Sequence, residues 1–257
     1  MENLIKKLDL NEYITNFSKL FAREKPIILE GDINIHYKII SELSNYNINQ
    51  PSSVQNLDSQ LMHIQKQGIL RVYEIYEFIK IINYFLYLKR FNFEGKLLEW
   101  MDKIIIPNDI LKICEYFDDK ANLKEGVDED FDNIKQAIYK NKEEIKQSLY
   151  KTINSSKIKP YLVDMQVHFI NEQECLLVRG GFNHILSGSV IDRSNSGFFY
   201  VIPHSVSDLK EKQSDLKNKQ EEILFKLCKE ISHIFERNLL FLKFINKEFD
   251  RFDHYQA

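Results

Sequence analysis

Five cationic side chains stand near turns in the second half of the chain, where they could contact phosphate groups. They are Lys157, Lys159, Arg179, His184 and Arg193. Cations and turn amides hold a polyanion without reading its base sequence. We therefore interpret these residues as candidates for nucleic-acid binding. The alternative is that they are ordinary surface residues beside loops.

A run of lysines next to these residues favours a polyanion contact in the same region. Between Ile134 and Pro160 only Glu143 and Glu144 oppose seven lysines, which leaves a local balance of +5. The lysines are Lys135, Lys140, Lys142, Lys146, Lys151, Lys157 and Lys159. The whole chain has a formal net charge of −3, which is no general signature of a nucleic-acid-binding protein. A solvated helix face explains the lysines equally well.

The sequence offers weaker indications of catalysis than of phosphate binding. Ser194 and Ser196 are best explained as turn residues whose hydroxyls bond nearby amides, so that Gly197 can adopt an unusual backbone angle. A nucleophilic serine needs a base held close by, and no spacing in the sequence promises one. The chain also lacks G-x-x-x-x-G-K-[ST], and no lysine follows the glycines of 180–188. We predict no catalytic residue and no nucleotide site in this chain.

Metal-binding patterns are equally sparse. Glu230 and His233 have a helical i, i+3 spacing that could ligate a metal, but no third ligand is in view. The acidic cluster Asp128–Asp132 suits the start of a helix, where negative charge is favourable. The cysteines lie far apart and form no C-x-x-C pair: Cys114, Cys175 and Cys228. We expect reduced thiols and no metal site.

Helices must carry most of these residues. The 257 residues include only 8 Gly and 5 Pro, whereas folds built of strands need many turn residues. We expect a mainly α fold with a small antiparallel β subdomain, in which two long antiparallel helices connect a helical core to a sheet. The predicted boundaries are 1–126 for the core, 127–159 for an outgoing helix, 160–204 for the sheet, and 205–257 for a returning helix that rejoins the core.

The first half of the chain is predicted to be a helical bundle. Asp32 is available to cap a helix that reaches Leu43, and a helix through Ile64 should end near Gly68. The stretch Ile69–Leu88 is apolar on nearly every face but includes four charges, which favours a buried helix over a membrane span. The first ten residues lack the pattern of a signal peptide. We expect a cytoplasmic protein.

A single apolar stripe indicates the outgoing helix. Its members lie at steps of three, four and seven: Val127, Phe131, Ile134, Ile138, Ile145, Leu149 and Ile153. Such a helix would be about 40 Å long. Because the stripe is narrow and lysines surround it, we expect the helix to leave the bundle as an arm.

The apolar period changes to two after Pro160. Alternation over Val163–Phe169 predicts a strand, which a turn at 171–174 connects to a second strand at Cys175–Arg179. Two further strands are predicted at Ser189–Asp192 and Phe198–Ile202. Together they should form a small antiparallel sheet.

Helical periodicity returns from Ser205 to about Asp250, a stretch without Gly or Pro. Leu209, Leu216 and Ile223 form a narrow stripe suited to pairing with one helix. The apolar residues of 227–245 form a broader face suited to a core. We predict one long helix that first pairs with the outgoing helix and then enters the core.

The predicted sheet contains residues at a distinctive spacing, namely Gly188, Val190, Asp192, Ser194, Ser196, Gly197 and Pro203. A pair of strand segments precedes them, at Leu162–Val167 and Cys175–Arg179. This arrangement resembles the clamp of MutS proteins of the second branch, which has a short strand pair, a G-x-V-x-D-x-S-x-S-G turn and a closing proline. The chain lacks the Phe-x-Glu wedge with which mismatch-repair MutS reads a mispair.

The resemblance implies a function that composition and spacing do not. It implies the amino-terminal lever and clamp of a homodimeric, cytoplasmic ATPase, without the ATPase domain itself. The full-length protein would use ATP and Mg²⁺, and family members often carry a carboxy-terminal Smr endonuclease domain. Its partner would be branched or duplex DNA, in DNA repair and in suppression of homologous recombination.

Two alternatives stay open beside that function. The clamp could grip ribosomal RNA in a protein that splits stalled ribosomes after a collision. The third hypothesis is a helical adaptor without enzymatic activity, whose arm binds a partner protein through Leu209, Leu216 and Ile223. The adaptor hypothesis predicts no affinity for nucleic acid.

Overall fold

Helices dominate the chain, as its scarcity of glycine and proline predicts. The computed structural model describes residues 7–171 and 173–257, with Asn183 described without its side chain. Within these residues it contains nine α-helices and one four-stranded antiparallel sheet, so the expected fold class is confirmed. The segment before Lys7, and Glu172 of the predicted turn, lie outside the described residues.

The chain divides into two compact units. The first comprises the described residues up to Val127 together with Phe225–Ala257, and the second is Asp128–Leu224. The helices of the first part are α1 (Asn11–Ser18), α2 (Ile33–Leu43), α3 (Asp58–Gln65), α4 (Val72–Leu88), α5 (Gly95–Met101) and α6 (Asn108–Glu115). The later ones are α7 (Glu129–Ile153), α8 (His204–Arg237) and α9 (Leu239–Gln256). No helix within the described ranges is long and apolar enough to cross a membrane.

Helix α4 forms the centre of the first unit, as its apolar sequence predicts. Its buried side chains include Ile75, Phe78, Ile79, Ile81, Ile82, Phe85 and Leu88, all at most 1% exposed. The helix begins after Arg71, whose amide donates to the Glu74 carboxylate at 2.8 Å. The Phe78 ring contacts the ring of Phe235 on α8, with centroids 5.4 Å apart. The core therefore joins residues from both ends of the chain.

A polar cluster fixes the segment after α1 to helix α9. The buried Arg23 guanidinium donates to Asp250 at 2.7 Å, and to the side chain and backbone oxygens of Asn246 at 2.8 and 2.9 Å. Lys25 forms an ion pair with Asp253, and both side chains are only 3% exposed. Burial lowers the pKa of Lys25, and Asp253 and Asp250 oppose that shift. Every buried charge in this cluster thus has a partner.

One prediction about helix ends is confirmed and another needs correction. Helix α3 ends at Gln65, as predicted near Gly68, and Gln67 adopts a left-handed backbone at φ 60°. A Cβ at Gly68 would meet the ring of the exposed His63 side chain at 2.3 Å, so that ring would have to move. The single helix predicted from 205 to 250 was wrong, since Asn238 separates α8 from α9. The Asn238 side-chain amide donates to the Ile234 carbonyl at 2.9 Å, and the Asn238 backbone amide donates to the same carbonyl at 3.2 Å.

In the second unit, α7 begins at the acidic cluster that the sequence assigned to a helix start. The Asp128 carboxylate accepts a hydrogen bond from the Phe131 amide at 2.7 Å, and acidic residues fill the first turn. Helix α7 is antiparallel to the first part of α8. Ser148 donates to the Ser205 carbonyl at 3.3 Å, and Asn141 donates to that of Leu209 at 3.1 Å. The predicted pairing of these two helices is confirmed.

The apolar stripe of α8 has the unequal burial that its spacing predicts. Leu209, Leu216 and Ile223 are half-buried in the second unit. The residues that follow in the first unit are buried, among them Leu227, Ile231 and Phe235. A narrow stripe covers only one neighbouring helix, whereas the broader face enters a core.

The sheet has the strand order β1-β2-β4-β3, and all its pairs are antiparallel. The strands are β1 (Leu162–Ile170), β2 (Gln173–Val178), β3 (Gly188–Arg193) and β4 (Phe199–Pro203). The last turns of α7 cover the sheet, and the start of α8 completes the core. The buried residues of this core include Ile145, Leu149, Ile153, Leu176, Val178, Val201 and Val206. All four predicted strands are confirmed, with ends that shift by one or two residues.

Candidate nucleic-acid interface

One row of residues crosses all four strands at one end of the sheet. Val178 of β2 lies opposite both Leu162 of β1 and Phe199 of β4, and Phe199 lies opposite Arg193 of β3. Because the strands are antiparallel, this row marks the starts of β1 and β4 and the ends of β2 and β3. Segments that precede β1 or follow β2 and β3 therefore meet at this end.

The topology brings the five predicted cations to this end, which we call the cationic end. Lys157 and Lys159 lie in the turn that enters β1, and Arg179 directly follows β2. Arg193 is the last residue of β3, and His184 lies in the short 3₁₀ turn after β2. All five side chains are exposed. Their role in binding stays a prediction, but they can act as one surface.

Aromatic rings and backbone bonds hold parts of the cationic end in place. The Arg193 guanidinium lies over the Phe199 ring, 4.6 Å from its centroid. The buried Phe182 ring is 5.6 Å from the same ring, and it places the turn that contains His184. The Arg179 amide donates to the Tyr161 carbonyl at 2.8 Å. The Arg193 side chain is thus pre-positioned, which lowers the entropy lost when it meets an anion.

The predicted clamp turn has the geometry that its residue types indicate. The Ser194 hydroxyl accepts from the Phe198 amide at 3.1 Å, and the Gly197 amide donates to the Ser194 carbonyl at 2.9 Å. Gly197 has φ 79°, a left-handed conformation that other residues adopt at a cost. Asp192 accepts from the Arg193 amide at 2.7 Å. Ser196 is exposed in the same turn, so the hydroxyl that shapes the loop is that of Ser194.

Two further matched positions, Gly188 and Pro203, face each other at the opposite end of the sheet. A Cβ on Gly188 would lie 2.5 Å from the Ile202 carbonyl oxygen and 2.6 Å from Val201 Cγ1. Glycine is therefore required because β4 passes too close for any side chain. The matched residues Asp192, Ser194 and Gly197 shape the loop at the cationic end, whereas Gly188 and Pro203 shape the strand pair.

The local run of lysines is available to solvent along its whole length. All seven lysines between Ile134 and Pro160 are exposed. Of the two opposing acids, Glu144 lies 3.6 Å from Lys212 of α8, and Glu143 is half-buried. Sequence reasoning identified these lysines but missed two exposed tyrosines, Tyr139 and Tyr150, that lie among them on α7. Their spacing from the lysines was the available signal.

Metal and thiol chemistry find little support in the geometry. His233 lies 3.2 Å from Glu236 rather than beside Glu230, and the described residues contain no group of three metal-ligating side chains. All three cysteines are buried. Burial raises the pKa of Cys114 to about 12 and those of Cys175 and Cys228 to about 11. Such thiols stay protonated near neutral pH and are poor nucleophiles.

Comparison with known proteins agrees with the resemblance found in the sequence. No model of a protein family matches the chain. It is 32% identical, over 259 residues, to proteins named Endonuclease MutS2 from two strains of Helicobacter pylori, ATCC 700392 / 26695 and J99 / ATCC 700824. The chain resembles one part of MutS2. The alignment covers 99% of this chain, and the chain spans 34% of the length of each MutS2 relative. The predicted resemblance to MutS proteins of the second branch is confirmed.

Proposed function

We propose that this chain is the nucleic-acid-binding clamp and lever of a MutS2-type protein that suppresses homologous recombination by binding branched DNA. The observation that carries the proposal is the convergence of Lys157, Lys159, Arg179, His184 and Arg193 on one end of a small sheet. Similarity to MutS2 along nearly the whole chain supports it.

The chemistry of the cationic end fits a phosphate backbone better than a base sequence. Its side chains are cations and its loops offer turn amides, which bind phosphate oxygens in any sequence context. Displacement of counterions by several cations makes such binding strongly dependent on salt. A surface of this kind suits a protein that recognises the shape of a branched duplex.

We propose that part of the activity of a whole MutS2-type protein lies outside this chain. The segment 180–188 does not fit a nucleotide, because no lysine follows its glycines and β4 occupies the space beside Gly188. We therefore propose that ATP, Mg²⁺ and any endonuclease activity belong to other parts of the full-length protein. We further propose that this protein acts as a homodimer in the cytoplasm.

Reversing two charges at the cationic end tests the proposal. We expect Lys157→Glu with Lys159→Glu to weaken binding to a labelled four-way junction roughly tenfold, because both side chains would then repel phosphates. The slope of log affinity against log salt should fall by about one for each phosphate that the variant no longer binds. Fluorescence anisotropy at several stated salt concentrations measures both quantities.

The matched control is Lys66→Glu with Lys103→Glu, which changes the same net charge at exposed positions of the first unit. The proposal requires this control to bind almost as the unchanged protein does. Equal weakening in both variants would mean that only net charge matters. No affinity for any nucleic acid would favour the adaptor hypothesis instead.

The ribosome remains a second candidate partner, because contacts to phosphates do not distinguish DNA from ribosomal RNA. Co-sedimentation of the full-length protein with stalled disomes, compared with its affinity for four-way junctions at the same salt, separates the two partners. If changing Lys157 and Lys159 then abolishes binding to the preferred partner, that binding is assigned to the cationic end.

A further inference from the structure

Helix α7 presents a stripe of lysines and tyrosines beside its buried face. The stripe consists of Lys135, Tyr139, Lys142, Lys146 and Tyr150, which follow one another at steps of four, three, four and four. Residues at these steps lie on one side of a helix. The stripe spans about 22 Å along the helix axis, since each residue rises about 1.5 Å.

Both tyrosines of this stripe are unusually exposed for large aromatic side chains. Tyr139 is 70% exposed and Tyr150 is 48% exposed. Within the described part of the chain neither ring is paired with another aromatic ring, whereas many rings of the first unit are. Exposed rings between cations do not contribute to the core of the unit, which is formed by Ile145, Leu149 and their neighbours.

The contacts with α8 leave the stripe open. Asn141, Glu144 and Ser148 meet α8 through Leu209, Lys212 and Ser205. On the helix these three positions lie on the far flank of the buried face, away from the side that carries the lysines and tyrosines. The stripe therefore adjoins solvent, and α7 continues from it to the turn that carries Lys157 of the cationic end.

We propose that the stripe binds a single-stranded segment of nucleic acid. Proteins that bind single strands combine cations that follow the backbone with aromatic rings on which bases stack. A duplex hides the faces of its bases, so exposed rings would have nothing to stack on. A branched or partly unwound substrate supplies both a duplex for the cationic end and a strand for the stripe. This inference rests on the proposed function and names a second element of the same substrate.

Removing the rings tests the inference. We expect Tyr139→Ala with Tyr150→Ala to weaken binding to a labelled oligothymidine of about twenty nucleotides roughly tenfold, since each stacked base is sensitive to loss of its ring. Affinity for a blunt duplex should change less than about twofold. Tyr139→Phe with Tyr150→Phe should restore strand binding, because it keeps the rings. Tyr37→Ala, at a 65% exposed tyrosine of the first unit, is the matched control.

Several outcomes would overturn the inference. The inference is wrong if the double alanine variant binds oligothymidine as tightly as the unchanged protein does. It is also wrong if that variant loses as much affinity for the blunt duplex as for oligothymidine. Polyglutamate and oligothymidine can also be compared as competitors for the labelled strand at the same concentration of charges. Equal competition would show that the stripe recognises negative charge alone. Oligouridine, run in parallel, tells whether the strand is RNA or DNA, and tyrosine-dependent binding of either supports the inference.

The failure of this inference is distinguishable from failure of the proposed function. If replacing both tyrosines has no effect while Lys157→Glu with Lys159→Glu still weakens junction binding, the role of the cationic end is supported and that of the stripe is rejected. If replacing the tyrosines weakens strand binding while the two lysine changes leave junction binding unchanged, the role of the stripe is supported and that of the cationic end is rejected. If the unchanged chain binds neither junction nor strand, both proposals are wrong.

Discussion

At the scale of single residues, space decides the identity of Gly188 in the sheet. We predict that Gly188→Ala lowers the free energy of unfolding by about 1–3 kcal/mol, because its Cβ must displace the backbone of β4 at Ile202. Thermal unfolding followed by circular dichroism measures the change. Gly180→Ala is the control, since a Cβ at Gly180 meets nothing within 4 Å. Similar destabilisation of both variants would contradict the close approach.

Residue types in the candidate site were easier to predict than their geometry. The five cations of the cationic end, and the turn role of Ser194 and Gly197, follow from sequence alone. The contact of Arg193 with Phe199 does not, because the two residues become neighbours only through the pairing of β3 with β4. The exposure of Tyr139 and Tyr150 was missed although their spacing from the lysines indicated it, because an aromatic residue is more often part of a core.

At the scale of elements, one buried amide marks the contact between α7 and α8. Asn141 is 1% exposed, and its Nδ2 donates to the Leu209 carbonyl, but its Oδ1 finds no donor among the described residues. A buried acceptor without a partner costs about 1–3 kcal/mol. A polar residue in such a seam is a known way to fix the alignment of two helices at the expense of stability.

We predict that Asn141→Leu raises the free energy of unfolding by about 1 kcal/mol, because it removes the unpaired acceptor and fills the seam with apolar atoms. Asn141→Asp should have the opposite effect, since it places a carboxylate in the same buried position. Urea denaturation of both variants gives the comparison. A less stable leucine variant would show that the bond to Leu209 outweighs the unpaired oxygen.

Periodicity predicted elements well and their breaks poorly. Apolar residues recur at steps of three and four before Pro160 and at steps of two after it. This change located α7 and the strands within a few residues, because each element must bury one face. The break at Asn238 carries no such signal, since asparagine is common on exposed helix surfaces and here acts through one local bond to Ile234. The strand order β1-β2-β4-β3 also depends on pairings between distant segments.

At the scale of the whole molecule, the cluster around Arg23 joins the two ends of the chain. Arg23 is 7% exposed and bonds Asn246 and Asp250, and its guanidinium lies 5.2 Å from the centroid of the Phe249 ring. Removing one member of a buried charged cluster leaves the others without partners, which costs several kcal/mol. The sequence did not reveal this cluster, because its members are more than two hundred residues apart.

We predict that Arg23→Met lowers the free energy of unfolding by about 3 kcal/mol and speeds amide hydrogen exchange in α9 and around Ala22. Amides of the sheet should exchange at unchanged rates, because they belong to the second unit. Hydrogen-exchange mass spectrometry resolves the two regions. Arg90→Met, at an exposed position, is the control. Uniform acceleration in both units would contradict this division of the chain.

The partition of the chain has a consequence for its synthesis. The second unit is one uninterrupted segment, so it can be complete as soon as Leu224 has left the ribosome. The first unit cannot close until helix α9 emerges, because Arg23 must wait for Asn246, which follows 223 positions later. At about 5–20 residues per second this delay lasts about 11 to 45 seconds. During that time the apolar faces of α2, α3 and α4 lack their final partner, and we expect chaperones to bind nascent chains in this state.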